Sequence, residues 1–256
     1  MNAEPAVLSE RRERALLITI NRPEQRNAVN AAVAQGIAAS LDELDGDDGL
    51  TVGVLTGAGK GFSAGMDLKA FVTGERPYAG DRGFAGIVER PAAKPLIAAV
   101  EGFAVAGGLE IALACDLIVA SRGARLGIPE VRRSLVAAGG ALLRLPRTLP
   151  RNLAMELALT GEPIEAERAY ELGLINRLTE PGGALELALE LAQAIAAGGP
   201  LALRATKRIL TESVDWPSTE FFARQREIVE PVMRSEDARE GATAFAEKRP
   251  PVWHGR

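Results

Sequence analysis

The stretch "VEGFAVAGGLEIALACDLIVAS" (100–121) decides the fold, because it joins two strand patterns through one short helix. "PLIAAVEG" (95–102) predicts a buried strand, "GGLEIALAC" (107–115) a helix, and "DLIVAS" (116–121) a second strand. Alternation of strand, helix and strand is typical of parallel sheets with crossover helices. This segment therefore predicts an α/β protein.

The same alternation continues outward from this segment. "ALLITINRP" (15–23) and "TVGVLTGAG" (51–59) predict further strands, and apolar residues at helical spacing predict a helix over 27–46. From about residue 141 onward the pattern is mostly helical, with "GLINRL" (173–178) as a candidate extra strand. We therefore expect a mainly parallel sheet followed by a helical region.

Composition excludes several classes of function. The 256 residues include 30 basic and 34 acidic side chains, so no strong positive charge favours nucleic acid. No apolar run has the length of a membrane span, and no signal-peptide pattern opens the chain. A single cysteine, Cys115, allows no intrachain disulfide and favours a cytoplasmic location. A single histidine, His254, excludes most histidine-based metal sites.

A possible nucleophile lies in "GFSAGMD" (61–67), whose first five residues fit the Gly-x-Ser-x-Gly pattern of serine hydrolases. Ser63, an aspartate and His254 would follow the chain order of α/β-hydrolases. However, no oxyanion segment of the "HGGG" type lies upstream, and His254 belongs to a proline-flanked tail that we expect to be loosely held. An esterase that uses Ser63 is therefore a remote alternative.

Two glutamates stand among apolar residues and suit acid–base chemistry. Glu110 follows Gly107–Gly108, and Glu130 follows Pro129. Each could merely complement the dipole of its own helix. A pair of carboxylates in different environments can instead serve as acid and base. Backbone N–H groups at Gly107 and Met66 could together form an oxyanion hole.

Four motifs in order make the chain resemble the enoyl-CoA hydratase/isomerase family, which has the crotonase fold. They are "NRPEQRNAVN" (21–30), "GFSAGMDLK" (61–69), "AVAGGLEIALACDLIVAS" (104–121) and "AREGATAFAEKRPPVW" (238–253). The resemblance implies an α/β, ClpP/crotonase-like fold of repeated ββα units. It further implies a core domain over 1–200 and a C-terminal helical trimerisation region over 201–256.

The resemblance also implies a 2-enoyl-CoA hydratase, which adds water syn across the double bond to give a 3-hydroxyacyl-CoA. Glu110 would activate the water and Glu130 would deliver the α-proton. Met66 and Gly107 would form the oxyanion hole, and Ser63 would not be the nucleophile. An enoyl-CoA double-bond isomerase of the same fold, or a non-catalytic subunit that binds CoA esters, stays open as an alternative.

Further expectations from the resemblance concern coenzyme A, which is part of the substrate. No metal or other cofactor is expected, and the chain should form a homotrimer or a hexamer built as a dimer of trimers. Acyl chain length and pathway stay open, and the segment 72–90 is expected to shape the acyl pocket. Residues expected to bind substrate or coenzyme are Arg26, Ala28, Ala64, Gly65, Asp67, Leu68, Lys69, Gly108, Pro129 and Lys248.

One segment departs from the family pattern. Many hydratases read Ile-Pro-Gly-Ala-Gly-Gly after the second glutamate, whereas "LVAAGGALLRL" (135–145) lacks the proline and has Ala138 where glycine is usual. Arg133 replaces a residue that is often apolar. Because the family places this loop near the reacting carbons, the departure bears on the reaction and the acyl group more than on the fold.

Overall fold

The computed structural model describes residues 4–256, and within them nine strands form two sheets. The larger sheet has the order β1-β2-β3-β4-β6-β9, and the smaller has the order β5-β7-β8. The strands are Val7–Arg12 (β1), Ala15–Ile20 (β2), Val52–Gly57 (β3), Leu96–Val100 (β4), Phe103–Val105 (β5), Leu117–Ser121 (β6), Arg125–Gly127 (β7), Ile164–Glu165 (β8) and Arg177–Thr179 (β9).

Ten α-helices connect and cover these sheets within the same residues. The helices are Ala31–Gly46 (α1), Leu68–Val72 (α2), Gly107–Ala114 (α3), Ala141–Thr148 (α4), Arg151–Thr160 (α5), Ala166–Glu171 (α6), Ala184–Ala196 (α7), Pro200–Glu212 (α8), Phe221–Met233 (α9) and Glu236–Glu247 (α10). A 3₁₀ helix, Pro129–Arg133, follows β7 and matters for the site. None of the helices in residues 4–256 is long and apolar enough to cross a membrane.

The larger sheet confirms the expected parallel arrangement, since β2, β3, β4, β6 and β9 pair in parallel. Two local expectations were wrong, and one strand was not predicted. The antiparallel edge strand β1 was missed because its side chains are mostly polar and exposed. The helix expected from residue 27 begins at Ala31, since Asn30 caps it by accepting the N–H of Val33 at 3.1 Å. The extra strand expected over 173–178 begins only at Arg177.

Strand β2 shows how the sheet divides the core. Leu16, Ile18 and Ile20 point to one face, where they join a large cluster with apolar side chains of α1 and α3. Ala15 and Leu17 point to the other face, against Ala188 and Ala192 of α7. Because side chains alternate along a strand, helices on both faces bury both sets.

The C-terminal tail is held against the helices that precede it, contrary to the expectation of a loose tail. The buried carboxylate of Asp237 accepts the backbone N–H groups of His254 and Gly255 at 2.7 and 2.9 Å. Trp253 donates its indole N–H to the carbonyl of Ala197 at 2.9 Å. These contacts fix the tail beside the end of α7 and the start of α10.

Candidate active site

A cavity of about 300 Å³ lies between the loop that carries "GFSAGMD", the start of α3 and the 3₁₀ helix after β7. Most of its lining is apolar, and both candidate glutamates reach it. The lining residues are Arg26, Ala64, Met66, Leu68, Tyr78, Phe84, Val105, Ala106, Gly107, Glu110, Pro129, Glu130, Arg133, Leu135, Val136, Ala138 and Gly139. The fold therefore brings distant parts of the chain together around one cavity.

Glycines allow the loop and α3 to approach at backbone distance. A Cβ on Gly108 would lie 2.1 Å from the carbonyl oxygen of Ser63. A Cβ on Gly65 would lie 2.6 Å from the backbone nitrogen of Gly107, and Gly65 has a φ of +83°. Both positions therefore require glycine, because a Cβ would clash with the opposing backbone.

This close approach places two backbone donors on the cavity. Met66 and Gly107 line it, and within residues 4–256 neither N–H group has a hydrogen-bond acceptor. Gly107 is the first residue of α3, where an N–H group lacks a partner inside the helix. Ala106, which precedes it, has a φ of 53° and a ψ of −133°, a strained conformation for a residue other than glycine. The pair of free donors suits a developing negative charge on an oxygen.

Ser63 is a structural residue of this loop. Its side chain is fully buried, and its hydroxyl donates to the carbonyl of Asn27 at 2.8 Å. The same oxygen accepts the N–H of Gly65 at 3.1 Å. These bonds hold the loop in place, and His254 lies in the tail bonded to Asp237 of α10, so the structure gives no support to a serine nucleophile.

Glu110 lies in the first turn of α3, but its carboxylate caps a different helix. Oε1 accepts the N–H of Gly139 at 2.7 Å and the N–H of Ala141 at 3.2 Å, both at the start of α4. Burial raises the pKa of Glu110, while the two N–H groups and the nearby Arg144 guanidinium oppose that rise. The carboxylate thus faces the cavity with one oxygen held firmly.

Glu130 stands in the 3₁₀ helix and lines the same cavity as Glu110. Its Oε2 is the only buried side-chain nitrogen or oxygen in residues 4–256 without a hydrogen-bond partner. Burial raises the pKa of Glu130 to about 7, and the negative charge of Glu110 adds to the rise. An unpartnered carboxyl group with this pKa can hold or release a proton near neutrality.

The family profile that matches the chain is described as enoyl-CoA hydratase/isomerase, and it matches residues 10–256. The chain belongs to this family. The fold and family predicted from the four motifs are therefore confirmed.

Several named proteins are similar to this chain along nearly its whole length. An enoyl-CoA hydratase of Mycobacterium tuberculosis, EchA19, is 44% identical, with 98% of this chain and 97% of the relative covered. A carnitinyl-CoA dehydratase of Salmonella typhi is 42% identical, with 94% and 95% covered. A crystal structure of an enoyl-CoA hydratase from Mycobacterium tuberculosis is 60% identical, with a TM-score of 0.97 and coverage of 99% and 100%. The crotonase fold of this chain thus extends over the entire described structure.

The cavity brings together eight of the residues that the sequence predicted for the site of this enoyl-CoA hydratase/isomerase family member. These are Arg26, Ala64, Met66, Leu68, Gly107, Glu110, Pro129 and Glu130. Gly65 and Gly108 lie directly behind the lining, where they make the backbone contacts described above.

Four predicted coenzyme-binding residues lie outside the lining. Asp67 caps α2 by accepting the N–H groups of Lys69 and Ala70, and it forms an ion pair with Arg22 at 3.0 Å. Ala28 uses its carbonyl to accept from the same arginine. Lys69 and Lys248 are exposed, and Lys248 lies at the end of α10. Their binding roles stay predictions.

Sequence reasoning indicated part of the cavity wall without naming its residues. Tyr78 and Phe84 lie in the segment 72–90 that was expected to shape the acyl pocket, but this irregular stretch between α2 and β4 has no periodicity that would single them out. Gly139 was not singled out, although it donates to Glu110, because the contact joins residues 29 positions apart. Within residues 4–256, no group of three or more His, Cys, Asp or Glu side chains is arranged to hold a metal ion.

Proposed function

We propose that this protein is a 2-enoyl-CoA hydratase that adds water syn across the double bond to give a 3-hydroxyacyl-CoA. One observation carries the proposal: two carboxyl groups with raised pKa share a cavity with two unpartnered backbone N–H groups. The relatives named enoyl-CoA hydratase support the same activity.

The backbone donors stabilise the thioester oxygen during the reaction. Attack at Cβ moves the π electrons toward Cα and the thioester carbonyl, so negative charge develops on that oxygen. The N–H groups of Met66 and Gly107 are free to receive it. A preorganised donor of this kind lowers the barrier by roughly 2.7–4 kcal/mol.

The two glutamates divide the proton transfers. Glu110 accepts two N–H bonds that favour its anion, so it takes a proton from the water whose oxygen bonds to Cβ. Glu130, with a pKa raised to about 7 by burial, donates its proton to Cα. After the reaction Glu110 holds the proton taken from water and Glu130 is ionised. A transfer of one proton from Glu110 to Glu130 restores the starting protonation states. An isomerase would need only one carboxyl group to shuttle the α-proton.

The proposal extends to partners and location. The substrate supplies coenzyme A, and the chemistry needs no resident metal or redox cofactor. We place the enzyme in the cytoplasm as a homotrimer or a dimer of trimers, with no nucleic acid or membrane partner. Exposed apolar side chains on the C-terminal helices, including Phe222, Met233 and Phe245, support an assembly through that region.

The deciding experiment follows loss of the enoyl-thioester absorbance with crotonyl-CoA and with a longer 2-enoyl-CoA. We expect Glu110→Gln and Glu130→Gln each to lower kcat about 10²- to 10⁴-fold, because each removes a proton-transfer group. Binding of a saturated acyl-CoA should survive in both variants. Glu186→Gln is a matched control, since Glu186 also lies in the first turn of a helix but is exposed.

Three outcomes would count against the hydratase. The wild type could leave both thioesters unchanged, or the glutamine variants could keep full activity. Loss of activity in Ser63→Ala with intact folding and retained acyl-CoA binding would instead favour the remote esterase alternative. We expect that variant to keep hydration, because the Ser63 hydroxyl bonds only within its own loop and to Asn27.

A further inference from the structure

A cationic side chain contributes to the cavity wall near Glu130. Arg133 lines the cavity together with Leu135, Val136 and Phe84. Within residues 4–256 neither glutamate nor any other carboxylate lies within ion-pair distance of the Arg133 guanidinium, whereas the neighbouring Arg132 pairs with Glu162. The mechanism above gives this residue no task.

The 3₁₀ helix explains why Arg133 shares a wall with Glu130. Side chains three residues apart eclipse one another in such a helix, and the rise is about 2.0 Å per residue. Arg133 therefore stands on the same face as Glu130 and about 6 Å further along it. The positive charge of Arg133 opposes the rise that burial causes in the pKa of Glu130, which agrees with this proximity.

Arg132, the residue before Arg133, has a structural role at this helix. Arg132 donates to the carbonyl of Thr160 at 2.9 Å and forms an ion pair with Glu162, so it ties the helix to the end of α5. Arg133 makes no such bond within the described residues, is exposed to solvent and contributes to the cavity lining. Its charge is thus available to a ligand.

A plain hydrocarbon acyl chain would displace water from the Arg133 guanidinium and offer nothing in return, which is unfavourable. A carboxylate would replace that water with two parallel charge-assisted hydrogen bonds. We propose that Arg133 is a specificity-determining residue that selects acyl-CoA thioesters whose acyl chain ends in a carboxylate. This inference rests on the proposed function for the position of the acyl chain.

The test compares ligands that differ only at the end of the acyl chain. Hexanedioyl-CoA and hexanoyl-CoA are titrated calorimetrically into the assembled wild type, Arg133→Leu, Arg133→Lys and Arg132→Leu. We expect the wild type and Arg132→Leu to bind the dicarboxylic thioester about tenfold more tightly than the neutral one. Arg133→Leu should lose that preference, and Arg133→Lys should keep part of it.

Kinetics with trans-hex-2-enedioyl-CoA and trans-hex-2-enoyl-CoA separate this inference from the hydratase proposal. Hydration of both thioesters with equal affinity for the two saturated ligands would overturn the role of Arg133 and leave the hydratase standing. Selective binding of the dicarboxylic thioester without hydration of either substrate would support the role of Arg133 and overturn the hydratase. An equal loss of affinity for both ligands in Arg133→Leu would also overturn the inference, because it would place Arg133 against the coenzyme that the two ligands share.

Discussion

Glu130 is the residue whose environment sets the pH response of the proposed reaction. Burial raises its pKa to about 7, and the negative charge of Glu110 contributes. Because protonated Glu130 donates to Cα and ionised Glu110 accepts the proton of water, kcat/KM for hydration should fall as pH rises through about 7 and should also fall in acid, where Glu110 becomes protonated. A pH profile with crotonyl-CoA measures this, and its apparent pKa belongs to the coupled pair of glutamates.

The opposite slope would contradict the assignment. Activity that rises through pH 7 would make Glu130 the proton acceptor in the limiting step of hydration and would exchange the roles of the two glutamates. Glu186→Gln again serves as the control, because an exposed glutamate should leave the profile unchanged.

The sequence could supply the identity of these residues but not their surroundings. Glu110 was a candidate because an acidic residue interrupts an apolar run. Its capping of α4 through Gly139 and Ala141 was not predictable, since those contacts form only once the chain has folded. The unpartnered Oε2 of Glu130 likewise depends on packing from several segments.

At the level of elements, the contact between α3 and the "GFSAGMD" loop carries the oxyanion geometry. Gly108→Ala would force a Cβ to within 2.1 Å of the Ser63 carbonyl oxygen, so one backbone must shift. Overpacking of this kind costs roughly 1–3 kcal/mol, which corresponds to a fall in Tm of about 2–12 °C. Because Met66 and Gly107 would move apart, kcat should fall by more than about tenfold.

A second glycine supplies the control for this experiment. Gly46 ends α1, and a Cβ there would meet nothing within 4 Å. Gly46→Ala should therefore leave kcat unchanged and Tm unchanged or slightly raised, since alanine favours helix. Equal behaviour of the two variants in calorimetry and kinetics would argue against a tight contact at Gly108.

Elements with strong patterns were predictable, and those governed by context were not. Strands β2, β3, β4 and β6 read as apolar runs because both of their faces are buried. The edge strand β1 has five exposed residues of six, so its sequence lacks the apolar pattern that predicts a strand. Its existence follows from pairing with β2.

At the scale of the whole molecule, the C-terminal helices expose large apolar side chains. Phe222, Met233 and Phe245 are 72%, 70% and 88% exposed. If these helices form the interface of a trimer, light scattering after size exclusion should find three or six chains. Phe222→Asp should shift the particle toward single chains, because a charge placed in an apolar interface is costly.

The control for assembly uses another exposed apolar residue. Val72 is 83% exposed but lies at the end of α2, outside the C-terminal region. Val72→Asp should leave the mass of the particle unchanged. A wild type that runs as a single chain at micromolar concentration would refute the trimer.

The docked C-terminal tail has an optical consequence. Both tryptophans of the chain lie in the last quarter of the sequence: Trp216 packs beside Phe221 and Arg224, and Trp253 is bonded to Ala197. Intrinsic tryptophan emission therefore reports on the C-terminal helices alone, whereas circular dichroism averages over sheet and helices together. Denaturation followed by both signals distinguishes unfolding of the C-terminal region from unfolding of the sheet. It needs no dye or engineered label.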